Sequence, residues 1–151
     1  MHNSSLQINN VTQIGSLKDV LHSQKTPLFL SRIHAGFPSP ADDFIESSID
    51  LNEQLIQHPE ATFFLRVSGD SMIGAGIHDG DLLIVDRALE AKSGRIVIAA
   101  LNGEMTVKRL QILDDRKINL LPENNKYQPI AVLDGADFQI WGVVTQVIHY
   151  V

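Results

Sequence analysis

From residue 61 onward, short apolar runs alternate with clusters of turn residues, whereas the residues before them are more polar. Thr62 to Val67 is aromatic and apolar, and it runs straight into a Gly-rich turn from Ser68 to Gly80. Leu82 to Val85 and Ile96 to Ala100 are continuous apolar runs, too short for helices and rich in branched side chains, which predicts buried strands. Asn102-Gly103 follows as a two-residue hairpin signal, because a type I′ turn needs positive φ at both positions. The strand returning from it is Met105 to Ile112, and Ile118 to Leu121, Ile130 to Leu133 and Phe138 to Ile148 complete the set. Many short strands joined by tight turns predict a mainly β body, a curved and largely antiparallel sheet or small barrel.

The first half reads differently. Residues 1 to about 26 show weak periodicity, with Leu17, Val20 and Leu21 spaced for one short amphipathic turn. Leu28-Phe29-Leu30 predicts a brief extended piece. Residues 1–35 are expected to form an extended arm, and residues 36–151 the body. Ser39 can cap a helix whose first turn holds Pro40. Asp50 with Glu53 three residues on resembles a capping box, opening a second short helix that should stop near His58-Pro59.

Charge separates the same two regions. The chain carries a formal charge of -6, with +2 in residues 1–35 and -8 in residues 36–151. So acidic a body makes a poor phosphate-binding surface, which argues against direct, sequence-specific DNA binding. There is no cysteine, hence no disulfide or thiolate chemistry. The N-terminus has no apolar signal segment, and the run Ile96 to Leu101 is too short to cross a bilayer. A cytoplasmic protein without a membrane anchor is expected.

Two residues hold candidate chemistry. Ser71 lies in Ser68-Gly69-Asp70-Ser71-Met72-Ile73-Gly74, where a sharp turn would expose its hydroxyl beside backbone N–H groups able to hold an oxyanion. The plain alternative is a polar loop between strands. Lys108 shares a strand face with Thr106 and Leu110, and if that face is apolar its pKa falls from about 10.4 towards the range a general base needs. A solvated strand lysine is the plain alternative. A Ser-His-Asp arrangement through His78 or His149 also stays open. The six histidines show no helical metal-pair spacing, Asp79, Asp81 and Asp86 do not follow a calcium loop, and neither metal nor cofactor is expected.

Longer motifs carry a resemblance. Phe37-Pro38-Ser39-Pro40-Ala41-Asp42, Ile49-Asp50-Leu51-Asn52, Leu55-Ile56-Gln57-His58-Pro59, Ser68-Gly69-Asp70-Ser71-Met72, Asp79 to Asp86 and Thr106-Val107-Lys108 look very like the UmuD proteins. These belong with the LexA-type self-cleaving serine peptidases, and the likeness covers about residues 36 to 148. The resemblance implies a dyad in which Ser71 is the nucleophile and Lys108 the general base. It places the scissile bond between Ala35 and Gly36, directly before Phe37-Pro38-Ser39-Pro40. It further implies the SOS response to DNA damage, with cleavage stimulated by the RecA filament on single-stranded DNA. The shortened homodimer would then serve a UmuC-type polymerase in translesion synthesis.

Rival readings share the same body. A LexA-like or phage-type repressor would need a DNA-binding domain, and the 35 residues before Gly36 lack a convincing helix pair. A signal-peptidase-like enzyme would normally carry a membrane anchor. A non-catalytic interaction module on this fold is separated from the others only by assay.

Overall fold

The computed structural model describes residues 11–16, 25–29, 35–36 and 45–151. The chain divides into two compact units, Met1–Asp19 with His58–Val151, and Val20–Gln57.

In the smaller unit, β2 (Lys25–Phe29) pairs antiparallel with β3 (Ile45–Asp50), and the short helix α1 (Leu51–Leu55) follows. Asp50 caps α1 as anticipated, its carboxylate accepting from the Asn52 N–H at 2.9 Å. The helix ends at Leu55, earlier than His58-Pro59, because Ile56 is already extended. The strand β3 has no counterpart in the sequence reading. The expected helix start at Ser39-Pro40 and the face of Leu17, Val20 and Leu21 lie outside the described residues.

The larger unit is a single eight-stranded sheet. Its strands are β1 (Val11–Ser16), β4 (Thr62–Val67), β5 (Leu82–Asp86), β6 (Ile96–Leu101), β7 (Glu104–Ile112), β8 (Ile118–Leu121), β9 (Ile130–Val132) and β10 (Phe138–Ile148). They are ordered β1-β4-β5-β10-β6-β7-β8-β9, with every neighbouring pair antiparallel. This is the mainly β, curved body that the pattern predicts, curled into a half-barrel. Register shifts near Trp141 and Thr145 bend β10 where it crosses from β6 to β5.

Packing explains the apolar runs. On β6, Ile98 joins a core with Leu65, Leu83, Val85 and Val107, while Val97 and Ala99 join a second with Leu110, Leu120 and Val143. Strands buried on both faces read as continuous apolar stretches, with no polar alternation. The hairpin between β6 and β7 forms as predicted, with φ of 50° at Asn102 and 82° at Gly103. β1 was not foreseen. It is polar and joins the edge of the sheet through backbone pairing with β4, which leaves no periodic signal.

Candidate active site

The strand β4 ends in the loop that carries Ser71. Gly69 turns the chain with a φ of 98°, and a 3-10 turn at Ile73–Ala75 follows the serine. Met72, 1% exposed, anchors the loop in the core. The loop is braced on two sides. Its Gly69 N–H donates to the Asp79 carboxylate at 2.7 Å. On the other side the segment after β8 holds it. The Glu123 N–H donates to the Ser71 carbonyl at 2.8 Å, and the Gly74 N–H donates to the Glu123 carbonyl at 2.7 Å. A Cβ on Gly74 would lie 2.6 Å from that carbonyl oxygen, so only glycine fits. Asn124 donates its amide to the Asp70 carbonyl at 2.9 Å, and the Tyr127 hydroxyl donates to the Asp70 carboxylate. That hydrogen bond and the nearby negative charge push the Tyr127 pKa up.

Lys108 reaches the same point from β7. On β7, residues 104–109 pair with β6, where Lys108 lies opposite Val97, and residues 109–112 pair with β8. Its side chain is 4% exposed, and Ser71 is 7% exposed. The Lys108 ammonium nitrogen lies 3.0 Å from Ser71 Oγ, 2.8 Å from Thr106 Oγ1 and 3.0 Å from the Val107 carbonyl oxygen. Burial lowers its pKa from the ordinary lysine value, because the charged form loses water. Neighbouring Arg109 pairs with Glu123, tying β7 to the bracing segment. A cleft of about 260 Å³ opens over the pair, walled by Leu101, Met105, Thr106 and Ile130.

The two candidate residues of the sequence reading are thus brought together. The candidate histidines are placed elsewhere. His149 Nδ1 sits 2.6 Å from Asp81, and the His78 ring lies against the His149 ring, while the group at Ser71 Oγ is Lys108. Burial alone would raise the Asp81 pKa, but the hydrogen bonds from His78 and His149 and their charge hold it below the usual carboxylate value. Ala35 and Gly36 are both exposed, in the smaller unit. Thr106 was placed on the strand face of Lys108 but given no role, and Glu123, Asn124 and Tyr127 were not singled out from sequence. No local spacing links Glu123 and Asn124 to a serine more than fifty residues away.

The Peptidase S24-like family model matches residues 27–145. Protein SamA of Salmonella typhimurium strain LT2 is 51% identical over 82% of this chain and 84% of its own length. Protein MucA of Escherichia coli is 49% identical over 79% of this chain and 81% of its own. The LexA repressor of Stenotrophomonas maltophilia is 46% identical over 76% of this chain but only 53% of the repressor. The chain belongs to the Peptidase S24-like family, the self-cleaving serine peptidases of LexA and UmuD type. Within that family it is of the UmuD type. It is a self-cleaving peptidase of the SOS response and an accessory subunit of an error-prone polymerase. Among the described residues, no helix is long and apolar enough to cross a membrane.

Proposed function

We propose that Ser71 and Lys108 form the catalytic dyad and that the bond they cut is Ala35–Gly36. The observation that carries this reading is the 3.0 Å approach of a buried lysine to the serine hydroxyl. A neutral amine has two N–H donors and one lone pair. With the donors spent on Thr106 Oγ1 and the Val107 carbonyl, the lone pair is left for the Ser71 hydroxyl proton. Ser71 Oγ then attacks the Ala35 carbonyl carbon, and Lys108 Nζ takes the hydroxyl proton. Backbone N–H groups of the Ser71 turn hold the oxyanion. The same proton passes to the Gly36 nitrogen as the peptide bond breaks, leaving Ala35 esterified to Ser71. Lys108 next takes a proton from water, which attacks the ester, and returns it to Ser71 Oγ as the ester bond breaks and the arm is freed.

Residues 1–35 are the part removed and residues 36–151 the working body. The partners are those of the UmuD type: a second copy, a RecA filament on single-stranded DNA as activator, and a UmuC-type polymerase, all in the cytoplasm. The acidic body supports polymerase-borne rather than direct DNA binding. Incubation of the purified chain with RecA, single-stranded DNA and a nucleoside triphosphate should yield two fragments, residues 1–35 and 36–151, by mass spectrometry. A main cut at any other bond removes the assignment of Ala35 and Gly36.

Without RecA, self-cleavage should speed up with pH. Burial lowers the Lys108 pKa, yet the base works only in its neutral form. Below that pKa the neutral fraction, and with it the rate, rises about tenfold per pH unit and then levels off. A rate that stays flat between about pH 7 and pH 10, the span between a depressed and an ordinary lysine, would remove this argument and point to docking of the arm as the only gate.

A further inference from the structure

A second cluster of titratable side chains lies outside the Ser71–Lys108 cleft. His78 and Asp81 sit on the turn before β5, and His149 directly follows β10. Ile148 pairs with Leu82, which delivers the end of the chain to that turn. Asp81 is buried. Its Oδ1 lies 2.6 Å from His149 Nδ1, and its Oδ2 accepts the His78 N–H at 2.7 Å and lies 3.6 Å from His78 Nδ1. The two imidazole centroids are 4.7 Å apart. One potential ligand atom from each residue falls within 4.8 Å of the other two. His78 Nδ1 is itself buried and has no hydrogen-bond partner. A buried polar atom left unpaired costs free energy, so something that bonds to it there is favoured.

We infer that His78, Asp81 and His149 form a binding site for a borderline divalent transition-metal ion of the zinc type. Two imidazole nitrogens and one carboxylate oxygen are a donor set that zinc takes, with a fourth position left to water. Calcium and magnesium prefer oxygen donors throughout and fit this set poorly. Zinc bonds of about 2.0–2.2 Å place tetrahedral ligand atoms roughly 3.3–3.5 Å apart. The 3.6 Å between His78 Nδ1 and Asp81 is close to that spacing already. The shorter His149–Asp81 contact widens as the ion replaces the shared proton. Both histidine side chains are nearly half exposed, which gives the ion access and the rings room to turn.

Such an ion would be structural. The turn bearing His78 and Asp81 is stitched to the end of β4, the Gly80 N–H donating to the Val67 carbonyl and the Val67 N–H to the Asp81 carbonyl. Asp79 of the same turn holds Gly69 at the base of the serine loop. Bound metal would clamp the end of β10 to the support of that loop.

The full chain, stripped with a chelator, is titrated with zinc by calorimetry and with cobalt by absorption. One ion per chain is expected, with a tetrahedral cobalt spectrum. His78→Gln and His149→Gln should each weaken binding at least about tenfold. His58→Gln is the control, because that ring pairs with Asp86 and belongs to neither site. Zinc should raise the melting temperature of the parent chain and the control, and should fail to do so in the other two variants, whose folding is checked by circular dichroism. No binding up to millimolar metal, affinity unchanged in both variants, or loss in only one of them overturns the site and leaves a hydrogen-bonded His–Asp–His cluster only.

Discussion

Lys108→Met should slow RecA-stimulated self-cleavage by about a thousandfold or more, the range lost with a general base. Ser71→Ala should remove it to the same floor, and the double variant should be no worse than either, because nucleophile and base act as one unit. Methionine keeps the volume of the buried stem while deleting the amine, so the fold should survive. Its stability should also lose a pH dependence. The folded-state pKa of Lys108 lies below the unfolded value, so the unfolded chain binds the extra proton and the charged lysine opposes folding. That penalty is full below the folded pKa and fades as pH rises towards the unfolded value of about 10.4. The parent chain should therefore gain stability with rising pH across that window, and Lys108→Met should not gain it. Denaturant melts at several pH values and a gel-based cleavage assay test the two halves separately. Near-normal cleavage by Lys108→Met would mean that another group is the base.

The second large effect concerns what the cut achieves. β1 lies upstream of Ala35–Gly36 and covers one edge of the sheet by pairing with β4. If Ala35–Gly36 is the bond cut, β1 loses its covalent tether to the body, and its departure would leave β4 as an edge. A bare edge with the sequence TFFLRV seeks a partner strand or a covering surface. A reaction that consumes its own substrate once per chain suits a switch of this kind. A chain beginning at Gly36 should accordingly support damage-induced mutagenesis, in cells lacking the native protein, without any cleavage step. Full-length Ser71→Ala should leave mutagenesis at the level of an empty vector. Equal mutagenesis from the two would end the switch interpretation while leaving the peptidase chemistry standing.

Much of the body is legible in the sequence, for a physical reason. Strands β4 to β10 announce themselves through short apolar runs bounded by turn residues, and the hairpin at Asn102-Gly103 through backbone φ preferences that act within two residues. The cap of α1 is as local. Where structure depends on pairing alone, as in β1 and β3, the sequence is silent, because backbone hydrogen bonds are the same for every side chain.

The site divides along the same line. The residue types in Gly69-Asp70-Ser71-Met72 and Thr106-Val107-Lys108 marked candidates, but neither motif could show that Lys108 was buried. That depended on the core on both faces of β6 and β7. The sequence by itself determined a mainly β body, an acidic surface, a chain without thiols, and a serine and a lysine of suggestive context. Only the tertiary structure put Lys108 Nζ 3.0 Å from a hydroxyl 37 residues earlier, buried it away from the water that favours its charged form, and set Glu123, Asn124 and Tyr127 as braces. It also carried His149 to Asp81, 68 residues away. Contacts over such separations are fixed by sheet register and strand order, which arise from the packing of the whole chain and leave no mark in any local window.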